Sequence, residues 1–282
     1  MRKSLNRYFP VFVLPTLIAF LISFLIPFLM GVYLSFTEFT TVENAHFVGL
    51  SNYKEALSAN GDFWKAFWFT AKFTAVSTIS VNLIAFILAL LLTRGKRGTS
   101  FFRTVFFMPN LIGGIVLGYI WQLIINGLLA RVGVDITFSA RYGFWGLVAL
   151  TNWQLIGYMM IIYIAGLQTI PKEMHEVASI DGASHLQALR HITLPLIAPS
   201  FTICSFLTLT NSFKMFDQNL ALTGGAPGKE TSMLALDIYQ TFYGSIGREG
   251  VGQAKAVIFF LLVAVIAGLQ LYFSKRREAK HL

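Results

Sequence analysis

Residues 8–36 read YFPVFVLPTLIAFLISFLIPFLMGVYLSF, and no charged residue stands between Arg7 and Glu38. The run exceeds the roughly 20 residues a helix needs to cross a hydrocarbon core about 30 Å thick. Five more runs follow: Ala66 to Leu92, carrying one charge at Lys72, then Thr104 to Ala130, Phe144 to Ile170, Ile192 to Phe213 and Ala256 to Ser274. Six such runs leave too little polar sequence to cover them inside a soluble protein. The sequence therefore predicts an all-α integral membrane protein with six transmembrane helices.

Composition agrees. Only 12% of the 282 residues are charged, against about a quarter in a soluble domain, and 27 are Phe. The single cysteine, Cys204, lies in an apolar run, so no intramolecular disulfide framework exists. Basic residues precede the first run, at Arg2, Lys3 and Arg7. That run is nonetheless much longer than a signal-peptide core and ends without a small-residue cleavage site, so it reads as an uncleaved first span.

Charge sets the orientation. With the N-terminus cytoplasmic, the cytoplasmic pieces hold Arg2, Lys3, Arg7, Arg94, Lys96, Arg97, Arg103, Lys172, Arg190, Lys275, Arg276, Arg277 and Lys280, which is 13 of the 22 basic residues. Only four acids accompany them: Glu173, Glu176, Asp181 and Glu278. This is the positive-inside pattern, with both termini inside. The net charge of +9 is thus a topology signal that the RGKR run at 94–97 turns toward anionic lipid, and it is no nucleic-acid footprint.

One cytoplasmic segment, residues 170–195, is unlike the rest: IPKEMHEVASIDGASHLQALRHITLP. Pro171 suits the first turn of a helix, with Glu173 complementing its N-terminus. Met174, Val177 and Ile180 recur at helical spacing; Asp181-Gly182 permits a reversal; Ala183, Leu186 and Leu189 stripe a second short helix. Such a stripe rests on neighbouring spans or lipid, or it docks a cytoplasmic partner.

That segment resembles the signature loop of ABC importer permeases: Glu-Ala-Ala, then Gly, nine residues, and Ile-x-Leu-Pro. Here those positions are Glu176, Val177, Ala178, Gly182, Ile192, Leu194 and Pro195, with Val177 where the pattern has alanine. FVGLSNYKEAL at 47–57, FFRTVFFMPN at 101–110, GYIWQLIINGLL at 118–129 and LTGGAP at 222–227 look similar to sugar-importer permeases of the maltose-transporter type, the first permease of the pair. In the last, Ala226 replaces a usual glycine. The resemblance covers residues 10 to 275.

It implies the type I ABC importer permease fold and a bacterial inner or cytoplasmic membrane location. It also implies a second homologous permease, two cytoplasmic ATPase subunits and an extracytoplasmic sugar-binding protein as partners. The signature loop would couple to the ATPase through Glu176, Val177, Ala178, Asp181, Gly182, Ala183, Ile192, Leu194 and Pro195, with Glu176 making a charged contact and Gly182 setting the bend. The expected division is 1–65 (tail, first helix and outer segment), 66–275 (core permease domain) and a tail at 276–282. The function it implies is ATP-driven import of a sugar, with an oligosaccharide favoured.

No cofactor or metal is expected on this chain, and no catalysis. TGGAPGKE at 223–230 departs from a phosphate loop at both ends, with Thr223 for the first glycine and Glu230 for the final Ser or Thr. His175-Glu176 lacks the second histidine of a zinc-protease motif, Ser179 standing in its place.

Polar side chains inside spans are costly and face the protein interior or a watery path. The candidates for the substrate path are Asn110 and Gly114 in the third span, Asn152 and Gln154 in the fourth, and Asn211, Ser212 and Phe213 in the fifth. Asn82, Gln122, Thr208 and Thr210 are further polar positions. Pro109, Gly113 and Gly114 would loosen the third span near Asn110. The bland reading is structural glue at about 0.6 kcal/mol per bond. Lys214 and Asp217, three apart, would pair on one helical face. The competing functions are the same architecture with another solute (glycerol phosphate, an amino acid, a polyamine) and an ion-coupled secondary transporter. The second needs acids at the span centres, and none is there.

Overall fold

The computed structural model describes residues 2–58, 61–93 and 98–278, so the expected basic run at Arg94, Lys96 and Arg97, and Lys280, lie outside the described residues. The described chain is helical apart from one two-residue hairpin.

Helix α1 (Arg2–Phe20) passes through a wide π-type turn, Leu21–Leu25, into α2 (Ile26–Leu34). The cause is Pro27. It offers no N–H and its ring crowds the carbonyl four residues back, and the wider turn lets the Ile26 N–H reach the Leu21 carbonyl instead. Strands β1 (Thr37–Glu38) and β2 (His46–Phe47) pair antiparallel, followed by α3 (Ser51–Ala56), α4 (Asp62–Thr93) and α5 (Thr99–Phe107). A 3-10 turn, Met108–Leu111, separates α5 from α6 (Gly114–Leu129), and α7 spans Ala140–Gln168. Then come α8 (Lys172–Ile180), α9 (His185–Ala188), a second π-type turn at Leu189–Thr193, α10 (Leu194–Leu196), α11 (Ala198–Phe213), α12 (Asp217–Leu222), α13 (Leu234–Tyr243) and α14 (Glu249–Glu278).

Five stretches among the described residues are long and apolar enough to cross a membrane: Val11–Leu34, Asp62–Thr93, Gly114–Val132, Ala140–Gln168 and Glu249–Gln270. A sixth is the pair His185–Leu196 and Ala198–Phe213, bent by 69°. Six spans were expected, but two are not the straight helices that their apolar runs imply. The third run breaks at Pro109, whose missing N–H leaves the Val105 carbonyl without its helical partner, and Ile112 and Gly113 turn extended. The fifth bends at Ile197, between Pro195 and Pro199, because Pro199 cannot donate to the Pro195 carbonyl. Pro195 follows its π-type turn at the same offset as Pro27 follows the first, and Leu194 N–H reaches back to Leu189.

The chain forms two compact units. One comprises Met1–Phe63 with Ile238–Leu261. Its core is knit by Asn52, whose Nδ2 donates to the Ser35 and Thr37 carbonyls at 3.0 and 2.8 Å. Gly250 gives the room, because a Cβ there would strike the Thr37 carbonyl and Asn52. Phe28 meets Phe260 at 4.9 Å and Phe39 meets Phe242 edge-on.

The other unit comprises Trp64–Asp237 with Leu262–Leu282. Here α7 is the central element, with α4, α5 and α11 packed along it. Val81, Phe86, Met159, Tyr163, Ile197 and Cys204 form one buried cluster, and Phe73, Leu117, Leu147, Leu150, Met215 and Leu222 another. Hydrocarbon is as apolar as these side chains, so close packing and buried hydrogen bonds hold the helices together. The Tyr163 hydroxyl donates to Asn82 Oδ1 at 2.7 Å, Asn82 Nδ2 to Thr208 Oγ1 at 3.3 Å, and Cys204 Sγ contacts the Met159 carbonyl at 3.7 Å. Close approach is bought with glycine: a Cβ on Gly157 would overlap the backbone carbonyl of Phe106, and one on Gly118 would lie 2.6 Å from Ala221 Cβ.

Candidate functional sites: the α8–α9 loop and a polar cavity

Helix α8 ends in a Schellman turn. The Ala183 N–H reaches the Ala178 carbonyl at 2.9 Å and the Gly182 N–H reaches Ser179 at 3.2 Å. This closure needs a left-handed residue, and Gly182 has φ of 77°. Nothing lies within 4 Å of a Cβ placed there, so the requirement is conformational alone. Two residues on, Ser184 opens α9 with a capping box: its N–H donates to Gln187 Oε1 at 2.7 Å and its Oγ accepts from the Gln187 N–H at 3.4 Å.

The reversal expected at Asp181-Gly182 is therefore present, with two differences. Pro171 caps α8 and Lys172 opens it. The second short helix does not stand alone, since it runs through the π-type turn and α10 into the entry of the fifth span.

Glu176 and Val177 are exposed while Ala178 is buried. Asp181, Gly182, Ala183 and Ile192 line a shallow cavity of about 280 Å³ with Gln187 and His191. Leu194 is half-buried and Pro195 exposed. Apolar side chains project outward from both short helices: Ile180 is 83% exposed and Leu186 73%. His191 Nδ1 sits 3.0 Å from the Gln187 carbonyl.

The second site is a cavity of about 590 Å³ in the larger unit, at the meeting of the two helix breaks. Asn110 reaches it from the break between α5 and α6, Gln154 and Tyr158 from α7, and Asn211 from α11. Lys214, Asp217 and Gln218 complete its polar wall. Gln218 Nε2 donates to Gln154 Oε1 at 2.9 Å, so α12 is tied to α7 across the cavity edge. Gly114, first residue of α6, lets α12 approach, for a Cβ there would lie 2.7 Å from Asp217 Cβ.

Three residues expected on the path lie elsewhere. Asn152, Ser212 and Phe213 are buried, and none lines the cavity. Asn152 Nδ2 donates to Ser80 Oγ at 2.9 Å and to the Val148 carbonyl at 2.8 Å, joining α7 to α4. The reason is helical geometry. Residues two apart point about 200° from each other, so Asn152 and Gln154 cannot share a wall. Lys214 and Asp217 share no helical face either, because α11 ends at Phe213 and α12 begins at Asp217.

Sequence reasoning missed Asn219. It is fully buried, donates to the Thr231 carbonyl at 2.8 Å and accepts from the Met233 N–H at 2.9 Å. It thereby holds α12 against the turn that follows. That turn is the TGGAPGKE stretch, with Gly224, Gly225, Gly228 and Lys229 all at positive φ. Next to it, the Leu234 N–H donates to Thr70 Oγ1 at 2.9 Å.

A multi-span permease with a structured loop between two spans and a polar cavity at broken helices is the class these features define. The chain belongs to the family of binding-protein-dependent transport system inner membrane components, whose family model matches residues 81–279. It is 44% identical over 279 residues to the probable starch degradation products transport system permease protein AmyD of Thermoanaerobacterium thermosulfurigenes, covering 96% of this chain and 94% of that one. It is 32% identical to the multiple sugar-binding transport system permease protein MsmF of Streptococcus mutans, covering 98% and 99%. In fold it matches a chain of a bacterial ABC transporter involved in the import of the acidic polysaccharide alginate, with a TM-score of 0.80 at 20% identity over 97% of this chain and 98% of that one. It has the fold of the ABC importer permeases, and the six spans expected from the sequence belong to it.

Proposed function

We propose that this chain is the permease subunit of an ATP-driven sugar importer, an oligosaccharide being the favoured cargo. It forms the translocation path with a second homologous permease. Two cytoplasmic ATPase subunits power it, and an extracytoplasmic sugar-binding protein delivers the solute. The names of the relatives, starch degradation products in one and multiple sugars in the other, support the sugar. The wall of amides around Asn110, Gln154 and Asn211, with Tyr158 beside them, suits a hydroxyl-rich solute.

In this reading residues 66–275 carry the core and both termini are cytoplasmic, which the excess of basic residues in the inner segments supports. The α8–α9 loop couples the permease to the ATPase, with Glu176 offering charge and Gly182 the bend. ATP binding would close the ATPase pair, drag the docked loops and rock the spans between inward-facing and outward-facing states.

The observation that carries the coupling role is the outward projection of Ile180 and Leu186 from two short helices that are each rigidly capped. Side chains so exposed on so ordered a loop call for a protein surface. Co-purification from membrane extract tests it, comparing the wild type with a Glu176→Ala, Gly182→Pro double variant. An ATPase and a second permease should accompany the wild type, and the ATPase should be lost from the variant. Retention of the ATPase by the variant, or its absence from both, would overturn the coupling role.

A further inference from the structure

Two charged side chains face the polar cavity from either side of a helix break. Lys214 follows the last residue of α11, Asp217 opens α12, and both are exposed to the cavity. Its other polar side chains are the neutral amides Asn110, Gln154, Asn211 and Gln218, with the Tyr158 hydroxyl. Gln154 and Gln218 are bonded to each other. Lys214 and Asp217 make no ion pair or side-chain hydrogen bond with another described residue. The cavity therefore holds one free charge of each sign and is formally neutral.

The two charges differ in mobility. Asp217 has a short side chain, and its Cβ is lodged against Gly114 at the first turn of α6. Lys214 carries its ammonium on a flexible four-carbon stem. A solute entering the cavity meets a carboxylate in a set place and an ammonium that can swing. Hydroxyls satisfy both, donating to the carboxylate and accepting from the ammonium. A solute carboxylate meets the stationary like charge, and in a site partly shielded from water that repulsion outweighs its value in bulk solvent.

We propose that Lys214 and Asp217 set the charge class of the solute that the cavity admits, with Asp217 the residue that rejects carboxylated saccharides in favour of uncharged ones. The proposal rests on the reading of this cavity as the solute's path.

The test is equilibrium binding to the whole transporter in lipid nanodiscs, without the binding protein, which would otherwise filter the solutes. The probes are a neutral oligosaccharide and its counterpart ending in a uronic acid, applied to the wild type, Asp217→Asn and Lys214→Gln. The wild type should prefer the neutral probe, and Asp217→Asn should reduce that preference by about tenfold, the equivalent of one 1.4 kcal/mol step. Lys214→Gln should deepen it. Neutral binding should stay within about twofold in all three forms, which shows that the variants fold and that the effect is on discrimination. Raising the salt should shrink the differences. An identical preference in all three forms would overturn the proposal and leave the permease reading intact. Absence of saccharide binding by the wild type would overturn the sugar reading, and this proposal with it.

Discussion

Tyr163 on α7 and Asn82 on α4 are joined by a 2.7 Å hydrogen bond between two buried side chains, the tyrosine hydroxyl donating to the amide oxygen. Asn82 passes the connection on to Thr208 of α11, so one polar relay ties three spans together. Tyr163→Phe would keep the ring packing with Phe86 and Phe201 but strand the Asn82 oxygen. The expected loss is about 1 kcal/mol, read as a lower thermal midpoint of the detergent-solubilised protein. An unchanged midpoint would show that the relay adds nothing to stability.

Gly157→Ala should be far more damaging than its one added carbon implies. The new Cβ would overlap the Phe106 carbonyl, which belongs to backbone and cannot swing aside. Overpacking of this kind costs about 1–3 kcal/mol. Gly127→Ala is the matched control: nothing lies within 4 Å of its Cβ, and removing a glycine from a helix interior is favourable by up to about 1 kcal/mol. Membrane yields of the two variants should move in opposite directions.

Asn219→Ala should loosen the turn after α12, because it strands the buried Met233 N–H and Thr231 carbonyl together. Each unpaired group costs about 1–3 kcal/mol. Limited proteolysis should cut the 223–233 segment of the variant sooner than that of the wild type. Equal cutting rates would mean the turn is held by other contacts.

The Arg248–Glu55 pair is short, at 2.7 Å, yet its side chains are 46% and 52% exposed. Water and salt screen such pairs, so Arg248→Gln should change stability by less than about 1 kcal/mol. A larger loss would reveal a role beyond the ion pair.

Orientation is open to direct chemistry. Cys204 is fully buried and gives little background. A single cysteine at Leu186 should react with a membrane-impermeant thiol reagent only from the cytoplasmic side, and one at Phe138, 68% exposed, only from outside. Both reacting from the same side would contradict an even number of spans between the proposed faces.

Much of the architecture is written in short-range chemistry. Long apolar runs without charge dictate spans, since an unsatisfied backbone cannot sit in hydrocarbon. Pro27, Pro109, Pro195 and Pro199 mark where those spans widen, break or bend, because each removes a donor from its own helix. Gly182 and Ser184 likewise announce the capped loop, as the left-handed turn and the capping box are local demands. Pro109 near Asn110 was legible as a loosened point, but the separation of α5 from α6 by a full 3-10 turn was not.

The candidate cavity was only half legible for the same reason. Sequence proximity grouped Asn152 with Gln154 and Asn211 with Ser212, whereas helix rotation sends the first of one pair and the second of the other into packing. Asn219 gave no signal, because its partners lie 12 and 14 residues further along a folded turn.

By itself, then, the sequence determined the membrane class, the six apolar runs and the form of the α8–α9 loop. These follow from hydropathy and backbone stereochemistry, which act over a few residues. Only the tertiary structure decided that two helix breaks meet in one cavity, and that Lys214 and Asp217 face it unpaired while Asn152 bonds Ser80. Which side of a helix turns inward depends on the neighbours that pack against it, and those neighbours are brought together only when distant spans fold onto α7.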